Sequence, residues 1–159
     1  MSGLPLFDND VRVHIGEHMK PVLAGLFSGK ADVPVEVVSA KKEGIGAFLF
    51  AETHKNNLPI MLRCCEEELK IMIATGRAPS PFYFERAVIL ARRERDYALE
   101  IQVCEVLIKA YEVYNEAYAK LGRIPPASTA YVSGEMKKRL AAARKNLGPE
   151  CGKIGQNIL

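Results

Sequence analysis

Three stretches of this chain carry side chains at spacings that chemistry could use. In His14-Ile15-Gly16-Glu17-His18 the histidines stand four apart, so on a helix they share one side. Two imidazoles placed so could ligate zinc, with Glu17 as the general base of a hydrolase. Two neighbours work against this: Gly16 weakens a helix and Pro21 interrupts one just beyond. A third ligand would have to come from His54 or a distant glutamate. The plainer expectation for His14 and His18 is a pair of partly exposed histidines on a surface helix, with no metal and no cofactor.

The second stretch, Gly25-Leu26-Phe27-Ser28-Gly29-Lys30, is one residue short of a phosphate-binding loop, and Ala31 stands where Ser or Thr would meet magnesium. Phosphate chemistry is therefore not expected there. Glu66-Glu67-Glu68 supplies three carboxylates, but successive helical residues diverge, which makes a solvated helix face the expectation. No nucleophile elbow and no Gly-rich dinucleotide fingerprint occurs in the sequence.

The third stretch is the basic segment 136–147. The chain of 159 residues has a net charge of +3, unevenly spread: residues 135–159 hold six basic and two acidic side chains, and the remainder is net −1. Lys137, Lys138, Arg139, Arg144 and Lys145 could meet the phosphates of a nucleic acid or an acidic partner. Leu140, Ala143 and Leu147 would pack on the rest of the domain. No aromatic residue interleaves between 136 and 147, so base stacking is not expected. A solvated terminal helix is the plainer reading.

The elements that must hold these residues are mostly helical. With 48% hydrophobic and 26% charged residues, the chain can bury one core without disulfides or metals. Its start lacks a basic, then apolar, leader, and no run reaches the roughly 18 apolar residues of a membrane span. The expectation is a cytoplasmic protein off the membrane, in which Cys64, Cys65, Cys104 and Cys151 are reduced thiols. A helix is expected over 8–27, capped by Asp8 or Asp10 and kinked or divided at Pro21. The runs VPVEVV and GAFLFA within 33–57 read as a small β-hairpin near 35–50 or as a helix through Phe48 and Phe50. Residues 58–75 are a helix, with Asn57 as cap, Pro59 in the first turn and Gly76 as stop. Ser80 and Pro81 open a helix to about Arg95; Asp96 caps the next, which runs towards Leu121. Ser133 is the expected cap of the last helix, which ends at Gly148. The sum is a mainly α, compact helical domain of five or six helices over 1–148, with a flexible tail at 149–159.

The segment PFYFERAVILARRERDYALEIQVCEVLIKAY (81–111) resembles a single tetratricopeptide repeat, two antiparallel amphipathic helices joined at Asp96-Tyr97. Phe84 matches the large aromatic of the first helix, Tyr97 the turn, and Ile101 and Cys104 the second helix. Val88 and Glu100 stand where such repeats place small residues at the helix contact, and the closing proline is missing. No second copy follows at an offset of about 34 residues, although such repeats stabilise one another in stacks of ~3 or more. The resemblance implies a central helical hairpin, and a peptide-binding role. Tyr111, Tyr114 and Tyr118 fall on one side of the long helix, where tyrosines could anchor a partner or cover the core. The leading expectation is thus a protein-interaction module rather than an enzyme. A nucleic-acid-associated role through 136–147 follows, and a zinc-dependent hydrolase comes third.

Overall fold

The longest helix of the chain is also its most buried. The computed structural model describes residues 3–34, 45–123 and 127–148. Among them are six helices and no strand: α1 (Gly3–Leu23), α2 (Ile45–His54), α3 (Leu58–Thr75), α4 (Pro81–Arg93), α5 (Tyr97–Lys120) and α6 (Ala127–Leu147). α5 starts where Asp96 accepts a hydrogen bond from the Leu99 amide at 3.1 Å, satisfying one orphan donor of the first turn. From Leu99 to Ala117 it buries Val103, Val106, Leu107, Ile108, Ala110, Val113 and Tyr114, while Glu105, Lys109, Glu112 and Glu116 share one exposed face. Its buried sides pack against α4, α1 and α6, while α3 joins α1 to α4. Helices α1, α3, α4 and α5 thus form a ring of neighbours around one core, and α6 lies along α5.

Local signals explain most of these boundaries. Asn57 accepts from the Ile60 amide at 3.0 Å, Pro59 sits in the first turn, and α3 runs to Thr75 as expected. Gly76 then adopts φ 78°, and its amide closes the helix on the Met72 carbonyl. This glycine does two things. A Cβ there would lie 3.1 Å from Val11 Cγ1, so the missing side chain also lets α1 approach the end of α3.

Four expectations about the helices need correction, and one open alternative is decided. The first helix begins at Gly3, so neither Asp8 nor Asp10 caps it. Pro21 does not divide it: the helix continues to Leu23, because a proline this close to the end costs only one hydrogen bond of the last turn. Of the two readings of 33–57, the helix through Phe48 and Phe50 is the one found, since 45–54 form α2; residues 35–44 lie outside the described residues. The short apolar run there buries Phe50 against the core, which a helix does as well as a strand. α4 stops at Arg93 rather than near Arg95, which takes the left-handed conformation at φ 58° while the Asp96 amide bonds to the Ala91 carbonyl at 2.9 Å. Finally, Ser133 lies inside α6, which begins at Ala127. The expected tail at 149–159 lies outside the described residues. Among those described, no helix is long and apolar enough to cross a membrane.

Candidate functional site

α6 has two sides of different character. Met136, Leu140 and Ala143 recur at steps of four and three and are buried on the side facing α5. Thr129, also buried, donates its hydroxyl to Asn115 Oδ1 at 3.1 Å, and Arg144 reaches Glu105 of α5 at 3.1 Å. Opposite lie Tyr131, Lys138 and Lys145, seven residues apart and therefore on one side of the helix. Tyr131 is 70% exposed, the most exposed large apolar side chain among the described residues. Beside it a groove of about 350 Å³ opens between α6 and α4, lined by Glu85, Tyr131, Val132, Glu135, Met136, Lys138 and Arg139.

Sequence reasoning missed Tyr131 because it began this helix at Ser133. With the helix extended back to Ala127, one aromatic, Tyr131, stands in line with the lysines, N-terminal to the 136–147 segment that has none. The available signal was the recurrence of Val132, Met136 and Leu140 at four-residue steps, which extends the buried stripe N-terminally past Ser133. The basic residues are divided in their duties. Lys138 pairs with Glu135 at 3.5 Å and Arg144 with Glu105, whereas Lys137 and Lys145 point to solvent. Arg139 is half-buried in the wall of the groove.

The three tyrosines of α5 are placed differently. Tyr111 is buried, and its hydroxyl donates to the Pro79 carbonyl at 3.0 Å, tying the α3–α4 link to α5. Burial, with Glu85 and Glu68 near, pushes its pKa up to about 12. Tyr114 is buried against Tyr118, with ring centroids 4.6 Å apart, and that burial, together with their hydrogen bond, raises its pKa. Only Tyr118 is partly exposed. The spacing that suggested an interface is thus also a spacing of the core, which takes in Tyr111 and Tyr114.

His14 and His18 share a side of α1 as expected, with ring centroids 4.4 Å apart. The surroundings are not those of a metal centre. The Lys120 ammonium donates to His14 Nδ1 at 3.1 Å, which puts the imidazole proton on Nε2. Nε2 faces Glu116 of α5 at 3.6 Å, and His18 Nδ1 donates to the His14 carbonyl at 2.9 Å. Among the described residues, no group of three His, Cys, Asp or Glu side chains is arranged to hold a metal ion. What the cluster can do is respond to acid. Burial, then Lys120, then His18 lower the pKa of His14 from 6.5, against the opposing pull of Glu116 and Glu17. The unfolded chain therefore binds this proton more readily than the folded one. The stability linked to His14 is complete above its ordinary pKa and is lost as pH falls through the lowered one. Between about pH 7.5 and about pH 5.5 the urea midpoint should fall further for the native protein than for His14→Gln. Equal falls in the two would remove His14 from this role.

Cys64, Cys65 and Cys104 are buried free thiols. Burial, with Glu100 near, pushes Cys104 up to about 12, so it packs as a small apolar group rather than reacting as a thiolate. Set against known proteins, the chain matches no family model, no curated protein and no solved structure.

Proposed function

We propose that this protein binds a partner protein through the outer side of α6 and the groove between α6 and α4. The observation that carries the reading is Tyr131, 70% exposed at the lip of a groove floored by Val132 and Met136 and flanked by Arg139. Tyrosine, methionine and arginine are the side chains most enriched at protein interfaces, and aromatic anchors beside a desolvated pocket supply most binding energy. The tetratricopeptide-like hairpin of α4 and α5 serves in this reading as the rigid support for α6, not as the binding surface. A cytoplasmic setting accords with the three free thiols.

The groove favours a protein over a nucleic acid. Glu85 and Glu135 put two carboxylates in its lining, which oppose a phosphate backbone, and its floor is apolar. The test is quantitative capture from the native host's lysate in moderate salt with nuclease present. A partner retained by the native protein should bind Tyr131→Ala about thirtyfold more weakly, the ~2 kcal/mol of an aromatic anchor. Retention that depends on nucleic acid, or that ignores Tyr131, would overturn the proposal.

A further inference from the structure

We infer that His14 is an acid-operated latch between α1 and the C-terminal turn of α5, held by Lys120 while its ring is neutral and passed to Glu116 when the ring gains a proton. None of these residues lines the α4–α6 groove. The ring is buried, and its two nitrogens face side chains of opposite charge on α5. Nδ1 accepts from the Lys120 ammonium at 3.1 Å. Nε2 lies 3.6 Å from the Glu116 carboxylate and is buried with no hydrogen-bond partner. One nitrogen is therefore satisfied, while the other is a buried donor left unpaired, which is a cost to the neutral state. Glu116 and Lys120 stand four residues apart, about one turn of α5, so a single ring can address both. What the latch holds is the end of that helix. Lys120 is its last residue, and the turn beyond is closed by Gly122 at φ 69°. The Gly122 amide bonds to the Ala119 carbonyl and the Arg123 amide to the Tyr118 carbonyl, both at 3.0 Å.

A proton reverses the arrangement. It binds Nδ1, the ring nitrogen with a lone pair to offer, and turns that nitrogen from acceptor to donor. Nδ1–H then faces the Lys120 ammonium, donor against donor and cation against cation. Lys120 keeps its protons and, being exposed, turns to water. Nε2–H now belongs to a cation, and its bond to a carboxylate becomes charge-assisted, shorter and stronger than a neutral one. Glu116 is 57% exposed, so it has room to swing in. The other charged groups acting on the ring are Glu17 and His18 of α1 itself; α3, which also packs on α1, supplies none among the described residues. Burial, then Lys120 and His18, resist the proton, and Glu116 and Glu17 draw it. The latch is therefore closed at neutral pH and opens as pH falls through the lowered pKa of His14, below 6.5.

The test is a titration of the whole protein by nuclear magnetic resonance from about pH 8 to about pH 4, following the His14 ring and the backbone amides of residues 119–123. The amides should shift with the same midpoint as the ring. Their protection from hydrogen exchange, corrected for intrinsic rates, should fall about tenfold across that midpoint. His14→Gln and Lys120→Met, each checked for helicity by circular dichroism, should both abolish the step at the end of α5. Lys120→Met should also raise the midpoint of the His14 ring, because a neighbouring cation is gone, and Glu116→Gln should lower it. His18→Gln should leave the step in place. Three results would each overturn the latch. In the first, the ring titrates while the amides of 119–123 keep their protection. In the second, the step survives in Lys120→Met, so that the amides sense the charge of the ring rather than the release of the lysine. In the third, the step survives in His14→Gln and is lost in His18→Gln, which would assign the titration to the other histidine.

Discussion

Arg92→Met should cost about 3–5 kcal/mol of folding stability, the loss expected when a buried carboxylate is left without its partner. Glu100 is fully buried between α4 and α5, its side chain 0% exposed, and Arg92 meets its Oε2 through Nη2 at 2.7 Å and Nε at 2.9 Å. The other carboxylate oxygen, Oε1, is buried with no hydrogen-bond partner. The guanidinium is therefore the principal compensation for a charge withdrawn from water. The pair is asymmetric, and the asymmetry is testable. Arg92 is 40% exposed, so when Glu100→Gln removes the carboxylate the guanidinium can turn to solvent. That variant should lose only about 1–2 kcal/mol. Replacing both, as Arg92→Met with Glu100→Leu, should recover most of the loss, because apolar groups of similar size substitute well for buried ion pairs. Urea unfolding of the three variants measures all of this. Equal losses in the two single variants would show that Glu100 reaches water, contrary to its burial.

Phe84→Ala should lose a comparable ~3–5 kcal/mol through the cavity it leaves. Phe84 is 0% exposed in the first half of α4 and belongs to the core shared by all the helices of the ring. Against a total stability of about 5–15 kcal/mol, such a loss brings the protein close to unfolding at ambient temperature. Phe82, two residues earlier in the same helix, is the internal control. It is 37% exposed, and Phe82→Ala should cost no more than about 1 kcal/mol. Similar losses at both positions would mean that α4 is rotated from the orientation described.

These two positions also show how far the sequence could be read. The resemblance to a tetratricopeptide repeat placed Phe84 in the hairpin's core, and there it lies. It also marked Glu100 as anomalous where a small residue belongs. What it could not show is the solution this chain uses, because Arg92 lies eight residues back across a turn and the pairing exists only once α4 folds over α5. Local signals sufficed wherever the chain itself supplies the cap: Asn57 and Gly76 for α3, Asp96 for α5. They failed at the start of α6, which begins at Ala127. α6 opens in a region where Ser133 looked like the natural cap, and that choice hid Tyr131. The groove was out of reach for another reason. Glu85 and Arg139 are more than fifty residues apart and meet only because both α4 and α6 pack on α5. The tyrosines of α5 left two readings open, since a stripe that buries and a stripe that binds have the same period. Only the surrounding helices decide between them, and here they bury Tyr111 and Tyr114.

Capture of the partner with two surface variants side by side decides whether this protein binds through α6, as proposed. Tyr131→Ala alters the lip of the α4–α6 groove. Val13→Ser alters another exposed groove, about 550 Å³ between α1 and α3, where Val13 is 54% exposed. Both positions are at the surface, so neither variant should disturb the fold. The partner should be lost from Tyr131→Ala and kept by Val13→Ser. Loss from Val13→Ser with retention by Tyr131→Ala would contradict it and move the interface to α1 and α3.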